Sequence, residues 1–241
     1  MTTILAFEAS GEQCSVSLSI DDQVSTLTSH QPRSHASHLL PFTEQLLAQG
    51  QIALTNIDAI ACAVGPGSFT GLRIALSVAQ GLAYASDKPI IAINSLAAMS
   101  ARIKAQSNEV LIPLIDARMD EVYWGVYNAD NQAIGQEAYI GSRDSFEEDL
   151  KKRLANMTEK NSKIIATGRA WQTIDFAKTA ANTLAIDVIP TLDEQEISAA
   201  QVVTLAIKQW NKGLWAAPQN VDLSYCRDSV AWNKRTRIRS I

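Results

Sequence analysis

The sequence contains only three cysteines, and they lie far apart. Cys14, Cys62 and Cys226 are odd in number and form no C-x-x-C pair, so their spacing indicates neither a disulfide framework nor a cysteine-based zinc site. We therefore expect the chain to work in a reducing compartment, the cytoplasm.

Long apolar runs are also missing. The apolar run near the start stops at Glu8 and follows no basic segment, so it is too short for the core of a signal peptide. No other run is long and apolar enough to span a bilayer. The sequence therefore predicts a protein that has no membrane partner.

The sequence also has no excess of basic over acidic residues. The 241 residues include 21 Lys and Arg against 25 Asp and Glu, which gives a net charge of −4. Such a chain does not attract nucleic acid as a whole, so any RNA contact has to be local or made through a partner. The share of hydrophobic residues, 46%, is typical of a globular protein.

What is present is an alternation of strand and helix patterns. Cys14, Val16, Leu18 and Ile20 alternate with serines, which predicts a half-buried strand in a meander of three. A helix from about Ser34, a buried strand, a second helix and another strand follow.

The same order returns from Glu109, so the sequence predicts an α/β protein with a duplicated ribonuclease H-like (actin-like ATPase, ASKHA) fold. Each of its two lobes would have the order βββαβαβ. We assign residues 1–103 and 197–241 to the first lobe, which the C-terminal helix and tail complete, and residues 104–196 to a smaller second lobe.

A glycine-rich turn separates a predicted buried strand from the second helix. A phosphate loop occupies this place in many folds, because the free N–H groups of a helix start hold anions, and Arg73 would add a positive charge. However, the Walker A lysine is missing, and the third glycine of a Rossmann motif is displaced by one residue. Phosphate binding is therefore not favoured over a packing turn. The turn residues are Gly65, Pro66, Gly67, Ser68, Thr70 and Gly71.

The helix after this turn is apolar on opposite sides. Leu72, Ala75 and Leu76 belong to one stripe, whereas Ile74 and Val78 lie opposite. A helix that is apolar all round must be buried all round. Its second side would be covered either by the rest of the chain or by a partner, and the pattern leaves both possibilities open.

Two carboxylates end the predicted first strands of the two halves. Glu8, with Ser10 close behind it, and Asp116 stand where the actin-like fold handles nucleotide phosphates and their metal ion. The alternative interpretation is that both carboxylates simply begin turns. An actin-like ATPase or kinase that uses Glu8 and Asp116 therefore remains an alternative function.

A histidine cluster and a basic C-terminal segment each have a structural and a functional interpretation. His30, His35 and His38 lie near the start of the first helix, but only Glu44 is nearby as a further zinc ligand, so we predict no metal site. The C-terminal segment is basic, and it is either solvated or in contact with RNA phosphates or an acidic partner. Its basic residues are Arg227, Lys234, Arg235, Arg237 and Arg239.

Five blocks across nearly the whole chain resemble the bacterial TsaB (YeaZ) family. They are ILAFEASGEQCSVSL, VGPGSFTGLRIALSVAQGLA, PIIAINSLAAM, IDARMDEVYWGVY and SYCRDSVAW. The resemblance implies the duplicated actin-like fold and a role in the tRNA modification that places a threonylcarbamoyl group on the adenosine 3′ of the anticodon. The chain departs from the family in Glu8, where aspartate is usual, and in its basic C-terminal extension.

The resemblance further implies a scaffold and not an enzyme. The related catalytic subunit TsaD carries a metal-binding H-x-x-x-H, and this chain has Ser95 and Met99 in the two histidine places. A hydroxyl and a thioether do not replace two imidazoles as metal ligands, which also argues against a metallopeptidase. We therefore expect no cofactor in the isolated chain, with ATP and metal on partner subunits.

The implied partners are TsaD, the ATPase TsaE in a ternary complex, and tRNA through that complex. In the family, the first two helices pack against the equivalent pair of TsaD, and the same surface forms homodimers when the subunit is alone. The partner-binding residues that the resemblance implies are His35, His38, Leu39, Phe69, Leu72, Arg73, Ile74, Leu76 and Val78.

Overall fold

The computed structural model describes residues 2–21, 23–31, 34–157, 163–188 and 197–226. Its first five strands form one sheet in the order β3-β2-β1-β4-β5. The first three strands are antiparallel neighbours, and β4 and β5 run parallel to β1. These strands are β1 (Thr3–Glu8), β2 (Cys14–Ile20), β3 (Gln23–Ser29), β4 (Ala59–Gly65) and β5 (Ile90–Asn94).

The second sheet repeats this plan. Its order is β10-β9-β6-β7-β8, which is the order of the first sheet read from the opposite edge, again with three antiparallel strands and two parallel ones. The repeated order confirms the duplicated ribonuclease H-like, actin-like fold. The strands are β6 (Glu109–Arg118), β7 (Glu121–Trp124), β8 (Tyr139–Ser142), β9 (Lys163–Thr167) and β10 (Asp187–Val188).

Seven α-helices cover these sheets among the described residues. The first lobe carries α1 (His35–Gln49), α2 (Phe69–Ser86) and α3 (Ser95–Ser100). The second lobe carries α4 (Phe146–Met157), α5 (Ala170–Thr173) and α6 (Asp175–Thr183), and α7 (Ala199–Trp210) follows. The pattern predicts a single helix where α5 and α6 stand, but Ile174 between them is extended.

Helix α7 returns to the first sheet and packs on β1, β2, β4 and β5. Because α7 covers the serine face of β2, that strand is buried on both faces, and the predicted half-burial is wrong. Two of the three buried serine hydroxyls are paired: Ser15 Oγ accepts the N–H of Ala199 at 2.8 Å, and Ser17 bonds to Thr26 at 2.8 Å.

Within the described ranges, three apolar clusters hold the layers together. One lies between the sheets and joins α3 and α7 to β6. A second packs α1 and α2 on the outer face of the first sheet, and a third packs α4 to α6 on the second sheet. None of the helices in the described part of the chain is long and apolar enough to cross a membrane.

The lobe boundaries given above, 1–103 with 197–241 and 104–196, stay a prediction. The basic C-terminal residues, Arg227, Lys234, Arg235, Arg237 and Arg239, lie outside the described residues.

Candidate functional site

The glycine turn joins β4 to α2, and its glycines allow close backbone approach. Gly65 has a positive φ of 114°, and a Cβ built on it would lie 2.8 Å from the carbonyl oxygen of Ser224. A Cβ on Gly67 would lie 2.6 Å from the carbonyl oxygen of Ser10. Any side chain here would therefore displace the backbone of another segment.

The start of α2 is occupied by the turn between β1 and β2. The backbone N–H of Ser68 donates to the carbonyl oxygen of Ser10 at 2.6 Å, and a Cβ on Gly71 would collide with the carbonyl oxygen of Ala9. Ser68 also caps the helix by accepting the N–H of Gly71 at 3.3 Å. These backbone groups fill the space that a phosphate needs, so the geometry favours a packing turn.

The two candidate nucleotide carboxylates each close a local turn. Glu8 is 2% exposed, and its Oε1 accepts the N–H of Ser10 at 2.6 Å. Asp116 accepts both the backbone N–H of Arg118 at 2.7 Å and its guanidinium at 3.1 Å. Arg118 also reaches Glu12 at 3.5 Å, so an ion pair joins the turns that would flank a nucleotide. A nucleotide role of Glu8, Ser10 and Asp116 stays a prediction.

His35 lies at the junction of α1, α2 and the turn between β1 and β2. It is buried, and Gly71 leaves the space that its ring occupies. Burial lowers the pKa of His35 below its ordinary value, and a backbone hydrogen bond with Gly11 acts in the opposite direction. This histidine therefore joins three segments of the first lobe.

The other histidines make separate local contacts. His38 lies 2.9 Å from the carbonyl oxygen of Ser34 and stacks against Phe42, and His30 is exposed. Across the described ranges, no three His, Cys, Asp or Glu side chains are grouped to hold a metal ion.

Several residues of the predicted partner face are buried by the chain itself. Leu76 of α2 and Leu39 of α1 belong to the outer core of the first lobe. Leu72 of α2 is also buried, and His35 is buried at the junction described above. In the single chain, these side chains are covered by their own sheet and helices. The role of His35, Leu39, Leu72 and Leu76 in partner binding stays a prediction.

Among the described residues, the opposite side of α2 is only partly covered, so this part of the chain does not bury the helix all round. Ile74 and Val78 are half-buried, Ser77 is exposed, and a Cβ on Gly81 would have no neighbour within 4 Å. These four residues recur at intervals of three and four, which places them in one stripe along the helix. We call Ile74, Ser77, Val78 and Gly81 the open face of α2.

An aromatic cluster lies at the start of the same helix. The guanidinium of Arg73 lies 3.2 Å from the ring centroid of Phe69 and donates to the hydroxyl of Tyr225 at 2.8 Å. Further along, Gln80 Nε2 donates to the carbonyl oxygens of Pro218 at 2.9 Å and Val221 at 3.0 Å. Neither Tyr225 nor Gln80 is predicted as a site residue, because contacts across more than a hundred residues leave no local pattern.

Ser95 and Met99 are fully buried in α3, between the two sheets. Asn94 caps this helix by accepting the N–H groups of Leu96 at 2.8 Å and Ala97 at 3.3 Å. A Cβ on Gly168 of the second lobe would lie 2.8 Å from the sulfur of Met99. The positions that the resemblance aligns with two metal-binding histidines are therefore packed against the other lobe.

Comparison with known proteins gives a consistent set of relatives. A family model described as "TsaD: tRNA N6-adenosine threonylcarbamoyltransferase" matches residues 25–235. The tRNA threonylcarbamoyladenosine biosynthesis protein TsaB of Escherichia coli K12 is 31% identical over 239 residues, which cover 96% of this chain and 97% of that protein. The protein of the same name from Bacillus subtilis 168 is 32% identical over 135 residues, 56% of this chain and 58% of that protein.

Solved structures agree with this grouping. YeaZ from Pseudomonas aeruginosa has a TM-score of 0.76 and 29% identity, with 93% of this chain and 100% of that chain covered. A second Pseudomonas aeruginosa structure, described as an uncharacterized protein with similarity to peptidase YeaZ, gives the same TM-score and identity and covers 94% of this chain and 100% of its own. Similarity to the Escherichia coli protein along nearly the whole length shows that the chain belongs to the TsaB family.

Proposed function

We propose that this chain is a non-catalytic subunit in the synthesis of tRNA threonylcarbamoyladenosine, and that it binds TsaD through the open face of α2. TsaE would join the pair in a ternary complex in the cytoplasm, and tRNA would be reached through that complex. ATP and metal would be bound by the partner subunits. In the absence of TsaD, the same face would form a homodimer.

The observation that carries this proposal is the composition of the open face. Ile74 and Val78 are apolar and only half covered, and Ser77 and Gly81 on the same stripe are small. Small residues let a second helix approach closely, so the two apolar side chains would lose their remaining contact with water. Full burial of such a side chain is favourable by about 1.5–3 kcal/mol relative to full exposure.

Two observations support a non-catalytic role. The start of α2 packs against Ala9 and Ser10, and the N–H of Ser68 donates to the carbonyl oxygen of Ser10, so it is not available to a substrate phosphate. Ser95 and Met99 are packed between the lobes and have the wrong chemistry for a hard or borderline metal ion. Both observations support a packing role for the parts of this chain that resemble an enzyme.

The test is co-purification with TsaD after Val78→Glu or Ile74→Glu. Either change would bury an unpaired carboxylate in the interface, which costs about 3–5 kcal/mol, and we expect TsaD to be lost from the purified complex. Val24→Glu is the matched control, because Val24 is also apolar and 41% exposed but lies on β3. If the Val78→Glu chain retains TsaD as well as the Val24→Glu chain does, the open face is not the docking site.

Leu76→Glu separates docking from folding. Leu76 belongs to the outer core of the first lobe, so a carboxylate there is expected to unfold the chain, whereas the Val78→Glu chain keeps its thermal unfolding midpoint. Loss of TsaD without loss of stability is the result that the proposal requires.

A further inference from the structure

A cleft of about 470 Å³ lies between the second lobe and the C-terminal segment. Its walls are formed by residues 136–140, by α4 and by residues 224–226. Small-molecule sites commonly have volumes of about 300–1,000 Å³. None of these residues belongs to the open face of α2, so the cleft is unexplained by the docking of TsaD.

Arg153 of α4 is held in this cleft by aromatic rings. Its guanidinium lies 3.8 Å from the ring centroid of Tyr139 and 5.9 Å from that of Trp124. Within the part of the chain that the structure describes, the Arg153 side chain has these ring contacts and no hydrogen bond or ion pair. Its five N–H donors are therefore available to a ligand.

The cleft also offers acceptors. Glu137 and Asp149 line it, and neither carboxylate is paired with another described residue. The ring of Trp124 forms part of the wall, and its indole Nε1–H is buried next to Gly141 and does not face the cleft. A simple anion would meet Arg153 but would be repelled by the two carboxylates, so a ligand needs both an acceptor edge and a donor edge.

We propose that this cleft binds a guanine base. Guanine presents the O6 and N7 acceptors that arginine recognises in bidentate fashion, and its N1–H and N2 amino groups are donors for a carboxylate. Its flat ring stacks on aromatic side chains or on a guanidinium plane, as unpaired bases do in RNA-binding proteins. Adenine has an amino group where guanine has O6, so it loses the arginine contact.

The first test is titration of the purified chain with GMP, AMP and inorganic phosphate, followed by calorimetry. We expect GMP to bind at least tenfold more tightly than AMP and phosphate not to compete. Arg153→Met should weaken GMP binding at least tenfold, and Asp149→Asn should reduce the preference for GMP over AMP. Lys152→Met is the matched control, because Lys152 is the exposed neighbour of Arg153 on α4, and it should bind GMP normally.

The second arm distinguishes a free nucleotide from RNA. A uridine hexamer with one central guanosine is compared with a hexamer that has adenosine there. If the guanosine-containing uridine hexamer binds at least tenfold more tightly than GMP, and if this binding requires Arg153, the natural ligand is unpaired RNA. If the hexamer and GMP bind with equal affinity, the natural ligand is the free nucleotide. Equal binding of guanine and adenine ligands, displacement by phosphate, or no binding in either arm overturns the proposal.

This site does not depend on the proposed function. The Val78→Glu chain should lose TsaD and bind GMP normally, and the Arg153→Met chain should bind TsaD normally. The failure of one proposal is therefore distinguishable from the failure of the other.

Discussion

Gly71 lies directly against Ala9, because a Cβ on Gly71 would collide with the Ala9 carbonyl oxygen. This contact brings the first turn of α2 onto the turn between β1 and β2, at the place where a phosphate-binding fold would leave room for its ligand. The glycines of this turn therefore allow two segments of backbone to pack together.

Gly71→Ala should lower the free energy of unfolding by at least about 3 kcal/mol, because the obstacle is backbone and not a flexible side chain. Gly81→Ala on the same helix is the control. A Cβ there meets nothing within 4 Å, so it should stabilise the chain by about 0.5–1 kcal/mol through helix propensity. Urea unfolding of both variants measures the difference, and equal stabilities would contradict the close packing of Gly71.

His35 should make stability depend on pH. Its pKa in the folded chain is lowered, mainly by burial and slightly by His38, from the ordinary 6.5. The unfolded chain then binds more protons than the folded chain between these two pKa values, so stability falls as the pH drops through about 6.5 and levels off below the folded pKa.

The measurement is urea unfolding at pH 7.5 and 5.5. His35→Gln should reduce the difference between the two pH values, and His38→Gln, at a half-exposed position on the same helix, should leave most of it. An unchanged difference in the His35→Gln chain would show that another group is responsible.

Gln80 should hold the C-terminal segment on α2. Gln80→Met removes the two hydrogen bonds to Pro218 and Val221, and we expect a loss of about 1–3 kcal/mol, because two carbonyl groups lose their partner. Limited proteolysis should then cut residues 214–226 faster. Gln45→Met, at an exposed site on α1, should leave the cleavage rate unchanged, and equal rates in the two variants would contradict this role.

The three thiols should differ sharply in reactivity. Burial, together with the charge of Glu8, raises the pKa of Cys14 to about 11 and also raises the pKa of Cys62, whereas Cys226 is half-exposed. Because the thiolate is the reactive form, maleimide at pH 8 should modify Cys226 first in the folded chain and all three residues in urea. Mass spectrometry of the Cys226→Ser chain should show almost no native labelling, and rapid labelling of Cys14 would contradict its burial.

Local periodicity predicts much of this fold, because whether a segment forms a strand or a helix depends mainly on residues that are close in sequence. The strand predicted at β2 and the start of α1 after Ser34 are both present in the structure. Which segment covers each face of a strand or helix depends on residues that are distant in sequence. Ser15 is polar, yet it is buried because Ala199 supplies its hydrogen bond from α7.

The candidate site likewise combines features that local sequence predicts with features that depend on distant segments. The chemistry of the glycine turn is readable from its residue types, but the choice between a phosphate and a packed backbone requires the position of Ala9 and Ser10. Which side of α2 is open depends on how the helix is rotated on β4, so Leu72 and Val78 cannot be told apart from hydropathy alone. The role of Tyr225 depends on where the chain returns after α7.

The return of α7 to the first sheet also has a consequence for synthesis. β1 and β2 leave the ribosome long before residue 199 is made, so one side of their sheet has no cover while most of the chain is translated. The first lobe can close only near the end of translation, and a chain whose synthesis ends before Ala199 keeps that side exposed. Such a product would be a substrate for chaperones or proteases.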